Sequence, residues 1–287
     1  MPTTRFAPSP SGRLHLGHAY SAWFAHDAAA GGDFLVRIED IDQSRSRQEY
    51  VDGIFEDLDW LGLPPSLPPV FQSQRTALYE DAFTKLANLG LIYPCFCTRK
   101  EIAEEVNRMP SAPHGPDGPL YPGTCKFLDQ FETLDNFSKF VPCSWRLDSE
   151  KAAKLVGELE WTDLSAGTFK CDPLLFGDPI LKRSEGKPSY KIGTFSYHLC
   201  VVVDDSLQGV ELATRGSDLL PSTHLHRLLI ALLDLNTPKW HHHALVVDEN
   251  GKRLAKRFDS LAISTLRNQG LSPDEVLDMA QKCLQVP

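Results

Sequence analysis

The apolar residues between positions 1 and 94 follow two patterns, short continuous runs and stripes with helical spacing. The runs end at Phe6 and Ile38 and predict two buried strands. The stripes predict helices over residues 16–30, 51–61 and 75–89, each followed at once by a glycine, a residue that commonly ends a helix. Because a strand, a helix and a second strand in succession form a βαβ unit, the sequence predicts an α/β fold with a parallel sheet.

The pattern changes after residue 94. A short charged helix is predicted over residues 99–108, followed by a loop rich in proline and glycine, and strand-like apolar runs return at 177–183 and 199–205. A further strand is predicted over 241–247. The chain is therefore divided into four predicted segments: the first half of a nucleotide-binding α/β core (1–94), an insertion (95–174), the second half of the core (175–259) and a C-terminal helical tail (260–287).

The composition of the 287 residues, 42% hydrophobic and 23% charged, is typical of a soluble globular protein. No apolar run is long enough to span a membrane and no secretory signal is visible, so we expect a cytoplasmic monomer without a membrane partner. The net charge of −9 argues against a surface that coats nucleic acid, so any RNA contact must use a local basic patch. Seven cysteines in this setting indicate reduced thiols and room for a metal site.

Two histidines, His15 and His18, follow a Pro-Ser-Pro-Ser-Gly turn after the first strand and stand at the start of the first predicted helix. Their spacing places both imidazoles on one face of the first helical turn. There they add N–H donors to the positive end of the helix dipole, which suits a phosphate that gains charge during a reaction. The alternative is a pair of solvated histidines at a helix end.

Three cysteines, Cys95, Cys97 and Cys125, are the candidate metal ligands. Zinc prefers four ligands in a tetrahedron, commonly thiolates, so a fourth ligand is needed. Tyr121 or His114 is close enough in the sequence to supply it, and by chemistry alone histidine is the commoner zinc ligand. The alternative is a set of three buried thiols without a metal.

A basic segment, Lys252-Arg253-Leu254-Ala255-Lys256-Arg257, follows the predicted strand near the C-terminal end of the core. Ligands of open α/β sheets bind outside the carboxyl ends of the strands, where a cationic loop can close on a polyphosphate. The histidine pair is one predicted phosphate site, and beside it this segment is predicted to be a second one. The alternatives are a solvated basic turn and a contact to an RNA backbone.

Four further polar residues, Arg5, Glu39, Tyr197 and Arg215, stand at predicted strand ends. An arginine can bind a carboxylate through two hydrogen bonds, and a glutamate can hold an ammonium group. Together they suit an acidic amino acid, with Arg5 or Arg215 on its side-chain carboxylate and Glu39 on its α-amino group. Strand-end charges are, however, usually just solvated.

The segment Arg5-Phe6-Ala7-Pro8-Ser9-Pro10-Ser11-Gly12 with His15-Leu16-Gly17-His18 resembles the first signature of the class I aminoacyl-tRNA synthetases in its glutamyl form. Further segments resemble the glutamyl-tRNA synthetase core: Arg37-Ile38-Glu39-Asp40-Ile41-Asp42, Val201-Val202-Val203-Asp204-Asp205 and Arg215-Gly216-Ser217-Asp218. Residues 253–257 stand where that family has its Lys-Met-Ser-Lys-Ser loop. The resemblance implies a Rossmann-like class I catalytic core.

The cysteine pattern, Cys95-x-Cys97 and Tyr121-x-x-x-Cys125, in a core without an anticodon-binding domain resembles the glutamyl-queuosine tRNA(Asp) synthetases. The resemblance implies activation of L-glutamate by ATP, with Mg²⁺, to glutamyl-adenylate. It further implies transfer of the glutamyl group to the queuosine base in the anticodon of tRNA(Asp). It also implies one structural Zn²⁺, held by Cys95, Cys97, Tyr121 and Cys125, and so moves the prediction of the fourth ligand from His114 to Tyr121.

The resemblance implies a role for each matching residue. The glutamate ligands would be Arg5, Phe6, Ala7, Pro8, Ser9, Glu39, Tyr197 and Arg215. The ATP ligands would be His15, His18, Arg253 and Lys256, of which His15, His18 and Lys256 are also assigned a catalytic role. Two positions depart from the family pattern, because Arg253 replaces the first lysine of the second signature and Ala255 replaces its first serine.

Some alternatives remain open at this level. Tyr190 competes with Tyr197 for the role of glutamate ligand. An ordinary glutamyl-tRNA synthetase core, a non-catalytic relative that binds glutamate, ATP or RNA, and a nucleotidyltransferase with a His-x-Gly-His turn are the competing functions.

Overall fold

A computed structural model describes residues 1–109, 113–139, 141–183, 194–247 and 262–285. Its strands are β1 (Thr4–Phe6), β2 (Phe34–Ile38), β3 (Val70–Phe71), β4 (Ile92–Cys95), β5 (His114–Gly115), β6 (Gly118–Pro119), β7 (Ser144–Leu147), β8 (Glu160–Asp163), β9 (Gly167–Lys170), β10 (Ile180–Arg183), β11 (Thr194–Phe195), β12 (Leu212–Gly216), β13 (Lys239–His243), β14 (Leu245–Val246) and β15 (Leu284–Gln285). Its α-helices are α1 (Leu16–Ala29), α2 (Gln48–Trp60), α3 (Thr76–Asn88), α4 (Arg99–Arg108), α5 (Gln130–Ser138), α6 (Ser149–Val156), α7 (Tyr197–Leu207), α8 (Ser222–Leu233), α9 (Ile263–Asn268) and α10 (Pro273–Lys282).

Two sheets with parallel strands form the base of the fold. The first has the order β1-β2-β3 and the second the order β12-β13-β8-β9, in which only β9 runs antiparallel to its neighbour. They meet edge to edge, because the Thr3 carbonyl accepts hydrogen bonds from the backbone N–H groups of Glu211 and Leu212 at 3.0 and 3.1 Å. The predicted βαβ unit and the parallel sheet are thus confirmed.

A separate antiparallel sheet, with the order β11-β10-β7-β4, stands beside the parallel strands. It combines strands from both sides of residue 174. The pairing of β8 with β13 likewise joins residues of the predicted insertion to the sheet of the second half. The four-segment division made from the sequence remains a prediction, but these hydrogen bonds show that the segments share sheets.

The prediction of a strand over residues 199–205 is wrong, because this run belongs to helix α7. The Ser196 side chain caps the helix by accepting a hydrogen bond from the Leu199 N–H. The residues from 199 to 205 are all buried, so the run carries no polar face with a period of 3.6 residues. A short apolar run buried on every side cannot be assigned to a strand or a helix by periodicity.

The helical form of α7 has a structural consequence for its two aspartates. Successive helical side chains point about 100° apart, so Asp204 and Asp205 meet different partners. Asp204 accepts hydrogen bonds from Arg75, Tyr79 and Gln72 at 2.7 to 2.8 Å. Asp205 accepts from two arginines of β1 and β2, as described below. The pair therefore ties α7 to α3 and to the parallel strands.

Helix α1 packs against β1, β12 and α10, and its buried face is a stripe of small residues. Alanines at 19, 22, 25 and 29 let the helix approach the strands closely. The C-terminal helices α9 and α10 complete this apolar cluster with Ile263, Leu266 and Val276. In the ranges that the structure describes, no helix has both the length and the apolar character needed to cross a bilayer.

Candidate active site and cysteine cluster

A cavity of about 400 Å³ opens where β1, β2, β12 and β13 end and where α1 begins. This is the place at which open parallel sheets bind ligands. Among the described residues it collects all ten of the predicted glutamate and phosphate ligands: Arg5, Phe6, Ala7, Pro8, Ser9, His15, His18, Glu39, Tyr197 and Arg215. We refer to it as the amino-acid cavity.

The two histidines lie side by side at the entrance of α1, with ring centroids 4.0 Å apart. His15 is the N-cap: its Nδ1 accepts the Gly17 N–H at 3.1 Å, while His18 Nδ1 accepts the His15 N–H at 3.2 Å. The Gly17 N–H is therefore already used by the His15 ring. A neutral imidazole that accepts at Nδ1 carries its proton on Nε2, so Nε2 is the N–H donor of each ring.

Gly17 has a steric reason to be glycine. A Cβ atom at this position would lie 3.1 Å from Cε1 and 3.3 Å from Nδ1 of His15, closer than the ring can tolerate without moving. The N-cap and the orientation of His15 therefore depend on the absence of a side chain at Gly17.

The two cavity arginines differ in their partners. Arg5 Nε donates to Asp205 at 3.0 Å and its Nη1 donates to the Thr214 carbonyl, so its charge is paired. Arg215 is buried, and its nitrogens donate to His242, His226 and Thr223. Within the described part of the chain, Arg215 has no carboxylate partner, and burial lowers the pKa of its guanidinium.

Glu39 supplies the opposite charge at the end of β2. No hydrogen bond or ion pair to its carboxylate is present among the described residues. Burial raises the pKa of this carboxyl to about 7, although Arg37 and Arg5 act in the opposite direction. The amino-acid cavity thus contains a buried cation and a carboxylate that both lack an ionic partner among the described residues.

The structure also brings to the cavity residues that had no predicted role. Gly216 and Asp218 belong to the family-like segment at 215–218, whereas the sequence had not singled out Ser21, Thr214, Leu219, His243, Leu245 and Val246. His243 Nδ1 donates to the Ala244 carbonyl at 2.8 Å, so its Nε2 accepts the Ser21 hydroxyl at 3.0 Å. Most of these residues lie at the carboxyl ends of β12 and β13. A position at the carboxyl end of a strand could have indicated them, but the sequence did not show that β12 and β13 are neighbours.

Several predicted residues lie outside the described residues. These are Tyr190 and the basic segment with Arg253, Ala255 and Lys256. Tyr197, by contrast, is described and lines the amino-acid cavity, and its role as a glutamate ligand stays a prediction.

The three cysteines form a cluster in which all three Sγ atoms lie within 4.8 Å of one another. Cys97 Sγ is 3.4 Å from Cys125 Sγ and 3.6 Å from the Tyr121 hydroxyl. A tetrahedral zinc with bonds of about 2.3 Å separates its sulfur ligands by about 3.8 Å, so this donor set fits the metal. His114 does not belong to the cluster.

A buried arginine stands over the cysteine cluster. The Arg146 guanidinium carbon lies 3.8 Å from the centroid of the Tyr121 ring, and its Nη1 donates to the Asp178 carbonyl. Hydrogen bonding from Cys125 lowers the pKa of the Cys95 thiol, and Arg146 acts in the same direction. The hydrogen bond to Cys95, together with burial, raises the pKa of the Cys125 thiol, so the cluster favours one thiolate, on Cys95.

A second cavity of about 650 Å³ adjoins the first one and shares Ser9, Glu39 and Tyr197 with it. It extends past the β5–β6 hairpin to Tyr121 and Arg146 of the cysteine cluster. We refer to it as the outer cavity. A group bound in the outer cavity would therefore lie next to the amino-acid cavity.

The parallel sheet, with a histidine pair at the start of α1, is the catalytic fold of a class I synthetase. The model for the class I tRNA synthetases (E and Q), catalytic domain, matches residues 2–283, and the chain belongs to this family. The chain is 42% identical to the glutamyl-Q tRNA(Asp) synthetase of Rhodobacter capsulatus, over 95% of this chain and 97% of that protein. It is 39% identical to the protein of the same name from Nocardia farcinica, over 99% and 85%.

Longer synthetases are also similar. The chain is 35% identical to glutamate–tRNA ligase 1 of Methylococcus capsulatus, over 96% of this chain and 58% of that protein. The crystal structure of the glutamate-tRNA synthetase from Elizabethkingia anophelis superposes with a TM-score of 0.73 at 26% identity, over 89% of this chain. The chain spans about half of that synthetase, 52% of its length.

Proposed function

We propose that this protein activates L-glutamate with ATP and transfers the glutamyl group to the queuosine base of tRNA(Asp). The observation that carries the first half is the charge arrangement of the amino-acid cavity. Arg215 is a buried cation without a carboxylate partner in the described structure, and Glu39 is a carboxylate without an ion pair there. Glutamate offers a side-chain carboxylate for the first and an ammonium group for the second.

In the activation step, an oxygen of the glutamate α-carboxylate forms a bond to the α-phosphorus of ATP. The bond from that phosphorus to the bridging oxygen breaks, and pyrophosphate leaves. The Nε2–H groups of His15 and His18 stabilise the charge that develops on the phosphate oxygens. Mg²⁺ is expected to enter as the ATP chelate, because this ion is commonly bound through substrate phosphates. Lys256 and Arg253 keep their predicted role on the polyphosphate.

In the transfer step, a hydroxyl oxygen of the acceptor attacks the glutamyl carbonyl carbon, the carbon–oxygen bond to AMP breaks, and the hydroxyl proton is released. The choice of acceptor is supported by the similarity to two proteins named glutamyl-Q tRNA(Asp) synthetase, matched over most of their lengths. The protein supplies positioning and charge stabilisation rather than a nucleophile.

The proposed function is tested by transfer of labelled glutamate in the presence of ATP. We expect label on queuosine-containing tRNA(Asp) and none on queuosine-free tRNA(Asp) or on tRNA(Glu). Label on tRNA(Glu) would instead indicate an ordinary glutamyl-tRNA synthetase core. No label on any tRNA, together with no glutamate-dependent pyrophosphate exchange, would indicate a non-catalytic relative.

The cysteine cluster is proposed to hold one structural zinc through Cys95, Cys97, Cys125 and Tyr121. Bound zinc would tie the end of β4 to the turn at residues 124–127. We expect one zinc per chain in the wild-type protein and at least about tenfold weaker binding in Tyr121→Phe, measured by competition with a chelator.

Cys97→Ser should lose the zinc altogether, measured as metal content of the purified protein. Cys283→Ser is the matched control, because this cysteine is free and outside the cluster. An equal zinc content in Cys97→Ser and Cys283→Ser would contradict the assignment.

The raised pKa of Glu39 predicts a pH dependence of glutamate binding. Below its pKa of about 7 the carboxyl is largely protonated and does not attract an ammonium group. The KM for glutamate should therefore fall as the pH rises through 7, by up to about tenfold per pH unit on the acidic side. Pyrophosphate exchange at a series of pH values measures this.

Glu39→Gln is the control for the pH series. It should raise the KM for glutamate and remove its pH dependence in this range. A pH profile that is the same in Glu39→Gln and in the wild type would refute the role of Glu39.

A further inference from the structure

Arg215 is held by two imidazoles rather than by carboxylates. Its Nε donates to His242 Nε2 at 3.0 Å and its Nη1 donates to His226 Nδ1 at 2.8 Å. Its Nη2 donates to the Thr223 hydroxyl at 2.6 Å. An arginine only donates hydrogen bonds, so both of these ring nitrogens must be unprotonated.

The contacts of Arg215 determine the tautomer of each ring. His242 accepts at Nε2, so its proton is on Nδ1, which donates to Asp163 Oδ2 at 2.7 Å. His226 accepts at Nδ1, so its proton is on Nε2, which donates to His198 Nδ1 at 3.0 Å. His198 in turn lines the outer cavity. The donor and acceptor of the hydrogen bonds from His242 to Asp163 and from His226 to His198 are therefore fixed by Arg215.

Other arginines in the same core show the contrast. The buried Arg5 and Arg37 both donate to Asp205, and the partly buried Arg75 donates to Asp204. Their charges are neutralised by carboxylates of α7. Arg215 makes three side-chain hydrogen bonds but keeps its positive charge uncompensated among the described residues.

We infer that His226 and His242 are positioning residues for the amino-acid substrate, which fix the guanidinium of Arg215 through neutral acceptors and so leave its charge for the substrate carboxylate. The inference rests on the proposed function, in which that carboxylate belongs to glutamate. Three of the five N–H groups of Arg215 are used by His226, His242 and Thr223. The remaining two, one on each Nη, are proposed to meet the incoming ligand beside Tyr197, which also lines the cavity.

The neutrality of the two rings has a physical basis. Burial lowers the pKa of His242 to about 4, and burial together with Arg215 holds the pKa of His226 well below its usual range. A carboxylate at either position would make the same hydrogen bond but would neutralise Arg215 and compete with the substrate.

The test is the isosteric pair His226→Asp and His226→Asn, which differ in charge but present an acceptor oxygen at the same place. The KM for glutamate in ATP-pyrophosphate exchange should be at least about tenfold higher in His226→Asp than in His226→Asn. The KM for ATP and the melting temperature should differ little between the two variants. If His226 were merely structural, the two variants would not differ specifically in the KM for glutamate.

Equal KM values for glutamate in the two variants would overturn the inference. If His226→Asp does not fold, His242→Glu and His242→Gln make the same comparison at the other ring. The wild type is measured in parallel, because an absence of glutamate-dependent exchange there would reject the proposed function itself, whereas active wild type with equal variants rejects only the role of the histidines.

Discussion

Replacement of Arg215 by Gln is expected to lower kcat/KM for glutamate in pyrophosphate exchange by about 100- to 1,000-fold, mainly through a higher KM. The loss of one partner of a buried, hydrogen-bonded charge pair costs about 2–5 kcal/mol, and a 100- to 1,000-fold loss, about 3–4 kcal/mol, lies inside that range. In the protein without substrate, however, the charge of Arg215 has no carboxylate partner among the described residues. The melting temperature of Arg215→Gln should therefore fall only slightly, because the removal of a buried cation offsets the loss of its hydrogen bonds.

Arg108→Ala is the matched control for this prediction. Arg108 is 78% exposed and, among the described residues, forms a surface ion pair with Glu104, so its loss should leave both KM and melting temperature unchanged. An unchanged KM for glutamate in Arg215→Gln would contradict the assignment of Arg215 as the carboxylate ligand. A marked loss of stability in Arg215→Gln would show that the arginine is structural.

Replacement of His18 by Ala is expected to lower kcat of glutamate-dependent pyrophosphate exchange by about 100- to 1,000-fold, the usual effect of removing one donor to a transition-state oxyanion. The KM for glutamate should change little, because His18 acts on the phosphate. The substitution also removes the acceptor of the His15 N–H, so a small loss of stability accompanies it.

His26→Ala separates catalysis from helix stability. His26 is in the last turn of the same helix and lies against Phe34, far along α1 from the cavity. Its substitution should leave kcat unchanged. A similar fall of kcat in both variants would indicate that α1 had been disturbed, and an unchanged kcat in His18→Ala would refute the role of this histidine.

Local patterns were sufficient for much of the fold. The βαβ unit, the three helices before residue 90 and the start of α1 at Leu16 follow from spacing and caps, which depend on neighbours in the sequence. Helix α7 was misjudged for the opposite reason. Its run from Leu199 to Asp205 is buried on all sides, and what surrounds it comes from β1, β2 and α3.

The candidate sites divide in the same way. The histidine pair and the cysteine cluster were predictable because His15 and His18 share one helical turn, and Cys95 and Cys97 share one strand end. The fourth member of the cluster could not be chosen from spacing, since Tyr121 and His114 are both near in sequence. In the described structure Tyr121 lies beside Cys97, whereas His114 is outside the cluster.

The sequence by itself determined which chemical groups this protein brings to its site: paired imidazoles at a helix start, clustered thiols, and arginines with a glutamate at strand ends. Only the tertiary structure decided which arginine is available to a substrate. Arg5 and Arg215 look alike in the sequence, but Asp205 reaches Arg5 from α7, whereas α8 and β13 bring imidazoles and a hydroxyl to Arg215. Whether the charge of a buried group is neutralised depends on partners that are distant in the chain, and only folding brings those partners together.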